Sequence, residues 1–309
     1  MTVWVTGANG FIGRYLIRFL ADRGYAVHGI GHGAIADLER RRLGLDHWLN
    51  GEIDFANLDL LANRSGPPST LFHLAGGSSV GLSIEQPYED FARTVGGTAR
   101  LLEWLRRAAP DCRLIAASSA AVYGTSYSTP IAKDAEPHPI SPYGRHKLIM
   151  EELCRSYAAT YGVRSTVVRF FSVYGACLRK QLLWDICCRL QKGERTLELG
   201  GTGDELRDWI EVRDAVRLFG AIAETPQAED YQVLNGGSGT GTSVAEIAKE
   251  LLKAWGGAIV VQFSGLARSG DPFSLVANDV GLRNLTFGCE IPLARGIADY
   301  VSWFKDQAP

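Results

Sequence analysis

Cysteine is scarce and unpatterned. The six in 309 residues (Cys112, Cys154, Cys177, Cys187, Cys188 and Cys289) form no C-x-x-C and stand at no zinc spacing with His. A disulfide scaffold and a metal site are therefore not expected, and the thiols read as reduced, mostly buried apolar fillers. An excess of one charge is also missing: 32 Lys and Arg face 34 Asp and Glu, and the longest basic run is Arg40-Arg41-Arg42. Without a basic stripe to follow a phosphate backbone, no nucleic-acid partner is expected. Apolar runs stop well short of the ~18 residues that cross a bilayer. The chain opens directly on the strand-like Thr2-Val3-Trp4-Val5 with no basic leader, which reads as a cytoplasmic protein without a membrane partner. Linkers rich in Pro or Ser, repeats and low-complexity segments are absent. What is present is 46% hydrophobic content, enough for one large core or two modest ones.

Up to about residue 172, β-branched runs (2–6, 26–30, 70–75, 112–118, 165–170) alternate with helical patterns (11–23, 86–108, 142–161). Such alternation predicts an α/β fold, a doubly wound parallel sheet with crossover helices on both faces. Tyr88, Phe91, Val95, Thr98, Leu102 and Leu105 fall at spacings of three and four and predict one apolar face on the 86–108 helix. Beyond residue 172 come Gly-rich turns and helical stretches near 180–192, 212–224, 243–255 and 293–305. The expected division is a dinucleotide-binding domain over 1–172 and a smaller, mainly substrate-binding region over 173–309. Its strand Tyr231-Gln232-Val233-Leu234 is expected to return to the main sheet.

Thr6-Gly7-Ala8-Asn9-Gly10-Phe11-Ile12-Gly13 follows the first strand and opens the first helix. Gly7 allows the tight turn, Gly10 lets backbone amides approach a pyrophosphate, and Gly13 allows close helix packing, while the helix N-terminus supplies positive partial charge. Dinucleotide binding follows from that context. An acid about twenty residues on would select NAD, yet the second strand ends Gly29-Ile30-Gly31-His32-Gly33. NAD and NADP both stay open, since no Arg takes the acid's place either. His32 is either a donor to a phosphate or a solvated loop residue. Glu52, beside Ile53, either meets the adenine edge or faces solvent.

Ser141-Pro142 suits an N-cap and a first helical position, which puts Tyr143 and Lys147 at i and i+4 on one helix face. A phenol acting near neutral pH needs its pKa lowered by about three units, roughly 4 kcal/mol. An ammonium about 4 Å away supplies on the order of that much at an effective dielectric of about 20. The alternative is an ordinary amphipathic helix. Against that, Ser118-Ser119-Ala120-Ala121-Val122-Tyr123-Gly124 ends a strand, where doubly wound sheets place ligands. Ser119 there is suited to donate to a substrate oxygen and to steady a proton on Tyr143.

These segments, with Phe72-His73-Leu74-Ala75-Gly76, Arg169-Phe170-Phe171-Ser172-Val173-Tyr174-Gly175, Gly201-Thr202-Gly203, Arg207-Asp208-Trp209-Ile210 and Arg268-Ser269-Gly270-Asp271-Pro272, resemble the extended short-chain dehydrogenase/reductase family in its nucleotide-sugar epimerase/dehydratase branch. The resemblance covers nearly the whole chain and implies a Rossmann-type fold. By it Tyr143 is the catalytic base, Lys147 a cofactor-ribose and pKa-tuning residue, and Ser119 their partner. It places Gly7, Asn9, Gly10, Phe11, Ile12, Gly13, His32, Glu52, Ile53, Leu74, Ala75 and Gly76 at the cofactor and Ser78, Ser119, Ser172, Arg207 and Arg268 at the sugar nucleotide. The two arginines suit a diphosphate; otherwise they pair with Asp208 or Asp271. It also implies a two-fold homodimer through the 86–108 and 142–161 helices.

Two positions depart from the family pattern: Gly31 stands where an acid is usual, and Ser172 where an amide commonly holds the diphosphate. The expected activity is hydride transfer at C4 of a nucleotide-activated hexose, as a 4-epimerase ahead of an NADPH-dependent 4-keto-6-deoxyhexose reductase, and both ahead of a non-catalytic NAD(P)-binding module. Ala120 and Ala121 stand where sugar 4,6-dehydratases carry an acid pair, which argues against loss of water.

Overall fold

The computed structural model describes residues 1–266, 270–278, 280–283 and 285–307. In chain order the strands are β1 (Thr2–Thr6), β2 (Ala26–Gly31), β3 (Leu45–Asn50), β4 (Thr70–His73), β5 (Arg113–Ser119), β6 (Ser165–Phe170), β7 (Ser172–Tyr174), β8 (Thr196–Leu199), β9 (Leu206–Glu211), β10 (Tyr231–Gly236), β11 (Gly241–Ser243), β12 (Val260–Phe263) and β13 (Ser274–Leu275). Seven of them build one sheet in the order β10-β6-β5-β4-β1-β2-β3, every neighbouring pair parallel. β4 and β6 are buried along their whole length, as strands covered by helices on both faces must be. The strand order reverses between β1 and β4, so the crevice between their carboxyl ends is where such a sheet receives a ligand.

Two apolar layers flank the sheet. On one face Leu16, Ile17 and Leu20 meet Val216, Phe219 and Ile222. On the other, Leu58, Leu61, Leu101, Leu105, Met150 and Cys154 pack together, and Trp4 stacks on Trp104 with ring centres 5.1 Å apart. β10 pairs with β6 after an excursion of some sixty residues that builds the C-terminal region. There β9 pairs with β7, β11 and β13, and β8 pairs with β12. This second layer of short strands among Gly-rich turns has no counterpart in the alternation read from the sequence. Of the cysteines, Cys112, Cys154 and Cys187 are buried, whereas Cys177 and Cys289 are exposed rather than core fillers. No described helix is long and apolar enough to cross a membrane.

The helix expected over 86–108 is interrupted. Pro87–Phe91 and Gly97–Ala108 are α-helical, and Ala92–Gly96 between them is a π turn. A π turn carries an extra residue and rotates what precedes it. Val95, Thr98, Leu102 and Leu105 are buried as expected, but Tyr88 is 76% and Phe91 42% exposed, so the single apolar face read from the spacing is split in two.

Candidate active site

The first turn of the site is written in glycine. Gly7 holds φ +65°, and a Cβ there would stand 2.8 Å from Ala75 N, so only a bare backbone lets the β1 exit lie against the β4 exit. A Cβ on Gly13 would collide with the Gly7 and Ala8 carbonyls, so the third glycine makes room for the turn itself. Beneath, His73 is fixed between Thr6 Oγ1 (2.7 Å) and Thr98 Oγ1 (2.9 Å). Burial, and then Lys147, push its pKa down to about 3, so this neutral imidazole is a structural pin.

Around the turn lies a cleft of about 400 Å³. Gly7, Asn9, Gly10, Phe11, Ile12 and Gly13 line it at one end. His32, Glu52 and Ile53 close its side, and Leu74, Ala75, Gly76 and Ser78 its other wall. The space left by the missing side chains, the helix N-terminus at Phe11 and the apolar Ile53 wall fit a dinucleotide. His32 Nε2 stands 3.5 Å from Glu52 Oε1, both side chains largely exposed. The indole of Trp48 covers the end of β2: its Cη2 lies 3.3 Å from where a Gly31 Cβ would stand, and its Nε1 donates to the Gly33 carbonyl at 3.2 Å. Sequence reasoning passed over Arg14, whose guanidinium donates to Asn9 Oδ1 (2.7 Å) and to Glu39 Oε1 (2.6 Å) beside that loop. Its signal was the position directly after the third glycine.

The helix that carries Tyr143 and Lys147, Pro142–Tyr161, begins where expected: Ser141 accepts from Gly144 N at 3.1 Å, and Gly162 ends it at φ +71°. A Cβ on Gly144 would sit 2.5 Å from the Ala121 carbonyl, so the helix is pressed against the turn that follows Ser119. Lys147 is 4% exposed, and its Nζ donates to the Ala117 carbonyl at 3.0 Å and stands 6.0 Å from the Tyr143 ring centre. The phenol does not have the Lys-lowered pKa the i, i+4 spacing suggested. Burial raises it, the Ser119 hydroxyl counteracts, and the Asp90 carboxylate raises it further. Burial also lowers Lys147 to about 8, against the upward pull of Asp90 and Glu151.

Two buried pairs behind this centre were invisible in the sequence. Asp90 Oδ2 lies 2.6 Å from His146 Nδ1, and a Cβ on Gly77 would collide with Asp90 Oδ1. Glu151, one helical turn beyond Lys147, accepts from Ser118 Oγ at 2.5 Å and from Arg169 Nη2 at 2.6 Å. Arg169 Nη1 donates in turn to Tyr123 OH at 2.9 Å. This network ties the carboxyl end of β5 to the helix Pro142–Tyr161 and to β6.

A second cleft of about 980 Å³ is lined by Ser172, Trp209, Arg207 and Asp271 among others. Arg207 donates only to the Leu206 carbonyl (2.9 Å) among the described residues and is not paired with Asp208. Asp208 is instead wholly buried and accepts from the backbone amides of Ser238, Gly239 and Ala277. Lys147 Nζ adjoins the first cleft, 3.5 Å from where a Cβ on its lining residue Gly76 would stand and bonded to the carbonyl of Ala117, which also lines it, while the Ser119 hydroxyl bonds to Tyr143. Arg268 lies outside the described residues.

A parallel sheet with a glycine turn at its reversal and a Ser-Tyr-Lys centre at its carboxyl edge defines the extended short-chain dehydrogenase/reductase class. Residues 3–237 match the NAD dependent epimerase/dehydratase family, and the chain belongs to it. It is 30% identical to a UDP-glucose 4-epimerase of Azospirillum brasilense, over 89% of this chain and 83% of that one. Among solved structures it is similar to MoeE5 in complex with UDP-glucuronic acid and NAD, with TM-score 0.88 and 30% identity over all of both chains. It is also similar to a UDP-glucuronic acid 4-epimerase from Bacillus cereus in complex with UDP-glucuronic acid and NAD, with TM-score 0.89 and 25% identity over all of both chains.

Proposed function

We propose that the protein is a UDP-hexose 4-epimerase that uses NAD and retains it through the cycle. The observation that carries the reading is the Ser119-Tyr143-Lys147 group, whose ammonium adjoins the glycine-turn cleft at Gly76 and Ala117, backed by Ala120 and Ala121 instead of acids. Asn9, Gly10, Phe11, Ile12 and Gly13 would hold the cofactor's pyrophosphate, Glu52 and Ile53 its adenosine, and Lys147 its nicotinamide ribose. When bound, the cofactor would supply both the acceptor for the C4 hydride and the donor that returns it to the other face of C4, and the positive charge of its oxidised form would favour the ionised phenol. Tyr143 then takes the proton of the C4 hydroxyl and returns it to the same oxygen once the sugar has presented its other face. Ser119 steadies that oxygen by a hydrogen bond. Ser172 and Arg207 hold the diphosphate in the second cleft, where the arginine has no carboxylate partner among the described residues.

NAD is favoured over NADP by the exposed Glu52 carboxylate near the loop after β2, which would repel a 2′-phosphate, and by the NAD in the related complexes; Glu39 beside that loop is already paired with Arg14. A two-fold homodimer through the segment 87–108 and the helix Pro142–Tyr161 belongs to the same reading, with Tyr88, Phe91 and Ile149 exposed for it. The division into a dinucleotide-binding part over 1–172 and a substrate-binding part over 173–309 is retained, with β10 as the return to the sheet. The test is to incubate the purified chain with UDP-glucose, UDP-glucuronate and their 4-epimers, following the H4 resonance and the mass. Inversion at unchanged mass without added NADH is expected. A product heavier by two hydrogens, dependent on added NADPH, would make it a ketoreductase, and loss of water a dehydratase.

A further inference from the structure

Lys180 is a cation of the first cleft that the proposed chemistry leaves unused. It caps the helix Gln181–Gln191 of the C-terminal region, lines the cleft with the glycine turn, and donates from Nζ to the Ser78 carbonyl at 2.6 Å on the opposite wall. No carboxylate among the described residues stands within ion-pairing distance of it, and burial alone lowers its pKa. A charge taken partly out of water without a counter-ion is unfavourable, and such a site gains when an anion arrives.

The backbone that presents it is unusual as well. Cys177 at φ +73° and Gln181 at φ +68° are both non-glycine residues in the left-handed region, and they bracket Lys180 within five residues. Such conformations persist where the surroundings over-determine them, and they gather at ligand clamps. The segment is held from below by Tyr15, on the helix that carries the glycine turn, whose hydroxyl donates to the Ala176 carbonyl at 3.1 Å. The strained segment is thus anchored to the same helix whose first turn faces the cleft.

We propose that Lys180 is a pyrophosphate ligand: it closes the first cleft from the side opposite the glycine turn and neutralises a diphosphate bridge there. That bridge belongs either to the dinucleotide or to the sugar nucleotide. Lys180 lines the cleft of the glycine turn and not the second cleft, where its neighbours Gln181 and Leu182 point, so the dinucleotide is the ligand assigned. The inference rests on the reading of the first cleft as the cofactor site.

The test is titration of the full-length wild type, K180M and K180R with NAD, UDP and adenosine by calorimetry, with thermal unfolding as the check that the variants are folded. K180M should bind NAD about 10- to 150-fold more weakly, the loss of one charge-assisted contact. UDP and adenosine should bind K180M as they bind the wild type, and K180R should recover most of the NAD affinity. Unchanged NAD affinity in K180M would overturn the proposal, and so would a loss confined to UDP. A wild type that binds no NAD would instead sink the reading of the cleft itself.

Discussion

The Asp90 carboxylate and the His146 imidazole, 56 positions apart in sequence, meet at 2.6 Å directly behind Tyr143 and Lys147. Asp90 is only 7% exposed and occupies the space a side chain on Gly77 would need. Gly77 is therefore obliged by Asp90. G77A should lose stability by about 1–3 kcal/mol, from overpacking. The same substitution made on D90A should cost far less, a coupling that a double-mutant cycle in urea would measure.

Asp90 raises the pKa of both Tyr143 and Lys147. In D90N the phenol should ionise at lower pH, so the acidic limb of log kcat against pH should move down in pH, although loss of the His146 contact lowers stability by about 1–3 kcal/mol. A stability change with the pH profile unmoved would leave Asp90 a purely structural residue.

Lys147 is buried with its pKa lowered from 10.5 to about 8. Between those values the unfolded chain holds the proton and the folded chain does not, so stability should rise with pH across that window, by on the order of 3 kcal/mol in total. Thermal or urea unfolding at pH 7.5, 9 and 10.5 would show it. In K147M this part of the rise should vanish.

Y143F removes the proton-transfer group and keeps the ring. Turnover should fall about 10²- to 10⁴-fold with an unchanged unfolding midpoint. Near-normal turnover would remove Tyr143 from the mechanism.

R207A should raise the dissociation constant for UDP roughly 10- to 150-fold while NAD binds as before. Equal UDP affinity, measured by calorimetry, would make Arg207 structural.

The elements most legible in the sequence were those whose physics is local. The glycine turn was readable because Gly7 sits at φ +65°, a conformation only glycine adopts freely, and the helix of Tyr143 and Lys147 because Ser141-Pro142 marks its start. The glycine-turn residues line the first cleft, and from the helix the Lys147 ammonium reaches the edge of it near Gly76. Lys180 was illegible for the opposite reason: its left-handed neighbours are Cys177 and Gln181, residue types that carry no turn signal. The Asp90–His146 pair depends on two distant segments meeting, and the π turn at Ala92–Gly96 hides inside a regular-looking amphipathic pattern. Lys147 matched its expected place on the helix, but its ammonium turns to the Ala117 carbonyl, a choice of rotamer that spacing does not encode.

The pairing of β10 with β6 bears on how the chain acquires its structure. Until residues 231–236 leave the ribosome, β6 is a bare edge carrying Val167 and Val168, both fully buried in the finished sheet. Such an edge is a template for pairing with another chain. A fragment ending at residue 172 would keep the glycine turn and the helix Pro142–Tyr161, yet it should be prone to self-association. The whole C-terminal excursion must be synthesised before that hazard is capped, so completion of the sheet is a late, non-local event in folding.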